Sequence, residues 1–491
     1  MKKFNDFLTN LLLNNHVDVS GKKSKLLEDF VLNEENISTF NLIEFNQKLL
    51  LKRFMNKVQI FDIVNQHWPI PNATVGKPYK YKLDLIKLGN NSIVYTEIDG
   101  LEGTGLSYNN ETEIISGTPV ISGDYKINLL FKVRENEDEI NKKPMTLIIN
   151  ADPKSLWKNI PSDLDKDEEW KIKNHWKEDN VHEFSSLGER NIAVASKRGR
   201  SHANVGSFRD DDYAFKHLDS TQWSIVCVAD GAGSAKLSRH GSKIACKEVI
   251  SFMEQELNHD NAIQIDYLIN KNNELTEKEI NIAEEEKEAL KKELEENQKE
   301  LTLYLYNHLG KAAFHAHKKL EEFALLNEVN LKDLHTTLIF TLFKKYEFGY
   351  AFMTFGVGDC PIGILNKDGS EIKLMNWLDV GEFGGGTRFI TMPEIFSSDK
   401  FQTRFGFKLM KDFSYLFLMT DGIYDPKFVV ESNLEKLEKW NEFVDDLKGN
   451  NDDKVAVDFE NNNNEISKQL SDWMDFWSPG NHDDRTLAIV Y

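Results

Sequence analysis

The spacing of apolar and polar positions changes along the chain, and each change predicts a different kind of element. Up to about residue 65, Phe40, Ile43, Leu50, Phe54 and Val58 recur at roughly helical spacing and Pro is absent, which predicts helices. A helical cap or docking element is the expected role. From Trp68 to about Ile149 the pattern turns to short β-like runs. Tyr79-Lys80-Tyr81-Lys82-Leu83 alternates at period two, as a half-buried strand does, and Ser92–Tyr95 and Tyr125–Val133 are further runs. Gly76-Lys77-Pro78, Gly117-Thr118-Pro119 and Ser122-Gly123-Asp124 are turn material between them. Residues 151–188 are charged, with Trp157, Trp170 and Trp176 interspersed, and read as a linker that partly packs on a neighbour. From Asn191 to Tyr491 strands and helices alternate. The expected division is therefore 1–65, 66–150, 151–188 and 189–491.

Within the last part, residues 271–300 hold 11 Glu and 6 Lys with no Gly or Pro. Ile280, Ala283, Leu290, Leu294, Leu301 and Tyr304 fit a heptad seam that Lys287 and Asn297 interrupt. The expectation is a solvated helical hairpin arm inserted at about 265–305, with a partner-binding coiled coil as the sharper alternative.

The same part carries apolar runs that end at an acid. They are Val226–Gly231, Phe355–Asp359 and Leu416–Gly422, joined by the acidic sites Asp210-Asp211-Asp212 and Asn481–Thr486. Such a run reads as a buried strand whose end presents a carboxylate. Several of these ends together would make an oxygen-rich pocket suited to Mg²⁺ or Mn²⁺.

Bulk composition narrows the classes. At 491 residues, two to four domains are expected. The net charge of −20 argues against nonspecific nucleic-acid binding, which depends on Lys and Arg neutralising phosphates. Cys227, Cys246 and Cys360 lack metal-site spacing and read as buried thiols in a reducing compartment. No stretch approaches the roughly 20 apolar residues of a membrane span. A cytoplasmic protein with no nucleic-acid and no membrane partner is expected.

Two resemblances follow from these residues. Val75–Tyr79, Gly105–Tyr108, Ile115–Pro119 and Gly123-Asp124-Tyr125 resemble the immunoglobulin-like repeats of bacterial proteins, over about 80 residues. This implies a small β-sandwich with a binding or spacing role. Over about 300 residues, and in order, a second set resembles the metal-dependent protein phosphatases of type 2C, more closely their bacterial branch. It comprises Arg198–His202 with Asp210–Tyr213, Val228–Ser234, Thr336-Thr337-Leu338, Gly356–Asp359, Gly381-Glu382-Phe383 with Thr387–Thr391, Thr420–Asp425 and Asp483–Leu487. The implied fold is an α/β (α+β) sandwich, with two central, mostly antiparallel sheets flanked by helices and metals at one end. The implied activity is hydrolysis of phosphoserine and phosphothreonine esters by a water activated between two Mn²⁺ or Mg²⁺ ions. A phosphoprotein substrate and a cognate serine/threonine kinase are the implied partners, and residues 66–150 or 271–305 are candidates for a further protein partner.

The resemblance also implies roles. Asp230 would bridge the two ions, with the Gly231 carbonyl as a further ligand. Asp421 and Asp483 would hold one ion and Asp211 the other, while Asp359 would serve a third, weaker one. Asp210 and Asp212 compete with Asp211, because a shift of one position exchanges them. Where many family members have His, this chain has Ala232, so His202, His240 or a water would protonate the leaving group. Arg198, Arg200, Arg209 and His202 are the candidates for binding phosphate. Cys360 reads as a small buried residue. Taken singly, each acid is as well explained by a turn or a helix cap. The rival functional readings are an inactive phosphatase-fold scaffold and an assembly protein acting through its N-terminal half or its arm.

Overall fold

The computed structural model describes every residue except 1, 90, 91, 135, 163–176, 258, 282–286, 380–385, 399, 461 and 462. It divides into two units, Met1–Leu156 and Trp157–Tyr491. Trp170, Trp176, Ala283 and Gly381-Glu382-Phe383 of the sequence analysis lie outside the described residues.

In the first unit, helices Lys2–Asn14, Lys23–Leu32 and Glu34–Asn65 precede the strands. Asn33 caps the third helix by accepting from the backbone N–H groups of Glu35 and Asn36, the role its amide suits at a helix start. Two sheets follow. One has the strand order Ala73–Thr74, Asn136–Asn150, Gly123–Val133, Ile93–Asp99, and the other Tyr79–Lys82, Ile114–Gly117, Leu106–Asn109. They share one core that includes Leu83, Ile115, Ile127, Leu129, Phe131 and Leu147. The alternation of Ile127, Leu129, Phe131 and Val133 inward is the period-two pattern of a half-buried strand.

The long helix is tied to this core by Lys143. Lys143 is 2% exposed, and its ammonium donates to the carbonyls of Ile63 (2.8 Å), Val64 (3.1 Å) and Gln66, all at the helix end. Those carbonyls have no partner within the helix, so a buried cation satisfies them. Burial holds the Lys143 pKa below its ordinary value.

The second unit has four layers. One sheet orders Asp212–Leu218, Trp223–Ala229, Leu338–Tyr346, Gly349–Val357 and Phe405–Met410. The other orders Ile372–Leu374, Ile362–Asn366, Phe413–Met419, Arg485–Val490, Arg190–Lys197 and Asn180–Leu187. Neighbouring strands in both are antiparallel. Val226 and Val228 face the second sheet, where Val194, Leu416, Leu418 and Ala488 meet them. Ile225 and Cys227 face the other way, onto helices Ser238–Glu256 and Lys287–Leu326. Phe417 and Ile489 pack on helices Leu437–Leu447 and Ile466–Trp473. Both faces of the central strands are therefore buried, which is why their sequences are continuous apolar runs.

Two expectations are corrected here. Residues 151–188 are not linker throughout, because Asn180–Leu187 pairs along Arg190–Lys197 as an edge strand of the second sheet. Its polar residues hide it, since an edge strand with one solvated face needs few apolar positions. The arm is a helical hairpin, the first of the two expectations for it, but its seam is interrupted less than the sequence suggests. Helix Lys287–Leu326 packs on His259–Asn281, burying Leu301 and Tyr304 in one core with Ile265 and Leu268, and Leu294 is buried as well. Asn297 does not interrupt this packing. It is 1% exposed and its amide donates to the Leu268 carbonyl (3.1 Å) across the hairpin.

Replacing Lys143 by Met should leave the last helix carbonyls without their cation and destabilise the first unit by about 2 kcal/mol, the order measured for hydrogen bonds to charged groups. Chemical denaturation of the full chain measures this, and an unchanged transition would refute the capping role.

Candidate metal centre

Antiparallel pairing brings the acid-ended runs to one end of the sandwich. Asp212 begins its strand opposite Ala229, where the neighbouring strand ends, and Leu338 begins opposite Val357. In the second sheet Met419 lies opposite Leu487 and Arg485 opposite Lys197. The loops leaving these positions carry Asp210–Asp211, Asp230, Asp359, Asp421 and Asp483.

Backbone contacts fix Asp230. Its N–H donates to Thr337 Oγ1 (2.9 Å), and its carbonyl accepts from Thr337 N (2.8 Å) and Thr336 Oγ1 (2.8 Å). Next to it, a Cβ on Gly231 would lie 2.6 Å from the Asp210 carbonyl oxygen, so the close approach of these two loops requires glycine. Asp359 follows Gly358, whose φ of +104° also favours glycine. Its Oδ2 accepts from Thr387 Oγ1 (2.7 Å), and Ile390 N donates to the Thr336 carbonyl (2.9 Å), so the Thr387–Thr391 segment lies beside both acids. Asp421 opens the helix Asp421–Phe428, where the helix dipole favours an anion. Gly422 lets that helix approach the second loop, since a Cβ there would meet the Asp484 carbonyl oxygen at 1.9 Å.

The three consecutive acids separate by partner. Asp211 is 1% exposed, and its Oδ2 accepts from Thr420 Oγ1 (2.8 Å) and Thr486 Oγ1 (2.9 Å), hydroxyls of the opposite sheet. Asp212 pairs with the buried Lys177 (3.1 Å) and stays below the usual carboxylate range, Lys177 and then Arg209 outweighing its burial. Asp210 lies 3.6 Å from His202. Asp211 is thus the member of the three whose charge reaches Asp230 and Asp421.

Electrostatics mark this end of the fold as unusual. Burial, then Asp421, Asp211, Asp483 and Asp359, push Asp230 well above its ordinary pKa. Burial, then Asp483, Asp359 and Asp211, do the same to Asp421. Asp211 is pushed up to about 8 by burial, Asp484 and Asp483, and Asp210 to about 7 chiefly by burial. Asp483 and Asp359 are raised as well, again chiefly by burial. Like charges held together in a desolvated place disfavour ionisation. One acceptor stands out, since Asp421 Oδ1 is buried without a hydrogen-bond partner. A carboxylate oxygen of Asp230, one of Asp359 and Cys360 Sγ all lie within 4.8 Å of one another. Hard oxygen donors, a buried orphan acceptor and mutual repulsion fit a divalent cation. Cys360 is fully buried beside Thr337 Oγ1 (3.3 Å), and burial pushes its thiol up, which suits a packed thiol and not a thiolate.

The cationic candidates are engaged elsewhere. Arg198 donates to the Ser207 and Ile160 carbonyls and to Asn159, and pairs with Asp179 (3.1 Å). Arg200 donates to the Phe476 and Asp475 carbonyls. Arg209, 2% exposed, donates to the Glu178 and Asp211 carbonyls and to Ser196 Oγ. These guanidiniums are struts of the loops they sit in, which leaves the phosphate-binding cation unassigned among them. His240 is buried and stacks on Phe323 in the helical layer. His202 does stay with the acids, its Nδ1 3.0 Å from Asp484 Oδ1. Burial alone would lower its pKa, but Asp484, Asp210 and Asp483 raise it to about 10.

Several supporting groups were not singled out from sequence. Asp484 accepts from the backbone N–H groups of Gly199 and Asp210 (2.5 Å each), joining three loops. The Gly358–Asp359 turn is held by Asp379, whose carboxylate accepts from Gly358 N (3.0 Å) while its own N–H donates to the Gly358 carbonyl (2.8 Å). Arg404 pairs with that carboxylate and reaches the Gly356 carbonyl (3.3 Å). Only the doubled Asp483-Asp484 carried a sequence signal. Lys177, Asp379 and Arg404 lie at distances along the chain that no local pattern reports.

A β-sandwich flanked by helix pairs, with carboxylates gathered at one end, defines the class of metal-dependent phosphatase folds. The chain belongs to the protein phosphatase 2C family, whose sequence profile matches residues 198–475, more than half of its length. Three solved structures are similar. The serine/threonine phosphatase Stp1 from Staphylococcus aureus is 14% identical, with 61% of this chain and 93% of that chain covered and a TM-score of 0.33. The serine/threonine phosphatase PstP/Ppp of Mycobacterium tuberculosis is 13% identical, with 61% and 97% covered and a TM-score of 0.32. The catalytic domain of PstP in complex with 2 manganese ions is 13% identical, with 61% and 96% covered and a TM-score of 0.34. Comparison with curated proteins gives no match.

Asp379→Asn should loosen the Gly358 turn and raise the Mn²⁺ concentration for half-maximal hydrolysis of a phosphate ester by about 10- to 100-fold, with turnover recovering at saturating Mn²⁺. A loss that Mn²⁺ does not rescue would assign Asp379 a merely structural role.

Proposed function

We propose that this chain is a divalent-metal-dependent phosphoprotein phosphatase acting on phosphoserine and phosphothreonine, with water as the attacking group and no phosphoenzyme. The observation that supports this most is the convergence of Asp211, Asp230, Asp359, Asp421 and Asp483 at one end of the fold, where burial and then the neighbouring acids raise the pKa of Asp230 and Asp421. In this reading Asp230 would help to hold both of two Mn²⁺ or Mg²⁺ ions, and the Gly231 carbonyl would be a further ligand. Asp421 and Asp483 would hold one ion, Asp211 the other, and Asp359 a third, weaker one. When bound, the ions lower the pKa of water and supply positive charge to the developing phosphoryl oxygens. Phosphate-monoester hydrolysis is among the slowest uncatalysed reactions, so a site must supply very large transition-state stabilisation.

The protein's part is orientation. Thr420 and Thr486 hold one oxygen of Asp211, and Thr336 and Thr337 lock the Asp230 backbone, so neither acid needs to reorganise on loading. His202, protonated at neutral pH, supplies a cation on the Asp210–Asp484 side. It is the candidate for positioning phosphate or protonating the leaving alkoxide in place of the residue absent at Ala232. The division into a helical segment, an immunoglobulin-like sandwich and a phosphatase domain fits this reading, with residues 66–150 as the candidate partner-binding part. A cognate serine/threonine kinase would generate the substrate, and the cytoplasm is the proposed site of action. An inactive scaffold is the second reading. Its expected mark is a lost bridging or terminal acid, and Asp230, Asp421 and Asp483 are all retained.

Purified protein should hydrolyse a phosphothreonine peptide with Mn²⁺ or Mg²⁺ and stop in EDTA. Asp230→Asn and Asp421→Asn should each lower turnover by at least about 100-fold while circular dichroism is unchanged. Turnover that survives both substitutions would sink the site assignment, and a folded wild type inactive with either ion would favour the scaffold.

A further inference from the structure

Helix Glu34–Asn65 carries an apolar stripe that the first unit leaves uncovered. Its last turns pack on the β-core through Ile63, with Ile60 and Val64 partly buried. Near its start, Ile37 and Phe40 are covered by the two preceding helices. Between these anchors Leu50, Leu51, Phe54, Met55 and Phe61 are each 57–65% exposed. At about 100° per residue these five, with Val58, span an arc of about 140° opposite Ile63. Single exposed apolar residues are ordinary, but a contiguous stripe of this size marks an interaction surface.

The charges around the stripe narrow the occupant. From Phe45 to Phe61 there are four cations, Lys48, Lys52, Arg53 and Lys57, and no acid, in a chain of net charge −20; Glu44, 3.7 Å from Lys48, and Asp62 flank this stretch. By the same helical spacing, Lys48 and Lys52 border one side of the stripe, and Arg53 and Lys57 the other. A second copy of this helix would set these borders against like charges, which disfavours self-pairing. A coiled-coil partner requires a narrow seam, whereas this stripe is wide and aromatic. An apolar face bordered on both sides by Lys and Arg fits an anionic lipid surface, with the apolar residues in the headgroup–acyl boundary and the cations reaching outward to phosphates.

We infer that residues 45–61 dock the protein peripherally on anionic phospholipid. Among the described residues no helix is long and apolar enough to cross a membrane, so attachment would be in the plane of the surface. The expectation of no membrane partner rests on the lack of a spanning segment, which peripheral docking does not need. Docking would bias the enzyme toward phosphoproteins at the membrane. The inference stands apart from the metal site and does not depend on catalysis.

Co-sedimentation of the full chain with vesicles tests it. Binding to phosphatidylcholine–phosphatidylglycerol vesicles should exceed binding to phosphatidylcholine alone by at least about 10-fold and fall with added salt. Phe54→Glu combined with Phe61→Glu should reduce it to the neutral-vesicle level. Lys52→Glu combined with Arg53→Glu should do the same without touching the apolar stripe, with circular dichroism unchanged. Absent or charge-independent binding would overturn the inference. So would a wild-type dimer in light scattering that Phe54→Glu with Phe61→Glu dissociates, since the stripe would then be a self-association face.

Discussion

Like charge in a desolvated place is the constraint around which the second unit is arranged. Five carboxyls reach one end of a sandwich whose interior is apolar, and burial together with the neighbouring acids raises the pKa of Asp230 and Asp421. In an ordinary protein such a cluster would relax outward or be neutralised by lysines. Here it is pinned by groups that cannot move far. Thr336 and Thr337 hold Asp230, Thr420 and Thr486 hold Asp211, and Asp379 with Arg404 holds the turn before Asp359. The contacts to Asp211 cross from one sheet to the other, so the geometry of the acids is set by the packing of the two sheets.

The nearby cations serve the same end. Lys177 neutralises Asp212 and also donates to the Asp210 and Arg239 carbonyls, so the triple-Asp loop presents Asp211 inward. Arg198, Arg200 and Arg209 brace loops by donating to carbonyls, a task for which a forked, always-charged donor is suited. These four cations are therefore held by other partners, behind the acids. In the proposed reading, divalent ions would balance the repulsion at the centre.

Much of this was legible in the sequence because the signal is local. A buried strand that ends at Asp-Gly carries its own evidence, and the order of such ends along the chain carried the fold. The edge strand Asn180–Leu187 was not legible, because a polar face and a single paired side leave no apolar run. Asn297 looked like an interruption of the arm because its burial depends on a carbonyl, that of Leu268, in the facing helix. Lys143, Lys177, Asp379 and Arg404 were silent for the same reason, since each acts on residues far away along the chain. Nearness in sequence points to Arg198 and Arg200 as phosphate ligands, but it does not report where a guanidinium points.

The central claim is that the acidic cluster is built to hold divalent ions, and thermal unfolding against pH, with EDTA or with Mn²⁺, tests it most directly. Carboxyls whose folded pKa is raised contribute stability that is fully present below their unfolded value near 3.8 and is lost as pH rises through the folded value, about 7 for Asp210 and about 8 for Asp211. The metal-free protein should therefore lose melting temperature between about pH 4 and pH 8. Mn²⁺ should restore it, with a gain that grows toward the upper end of that range as the carboxyls ionise. A melting temperature that Mn²⁺ leaves unchanged across the range, in a folded protein, would contradict the account.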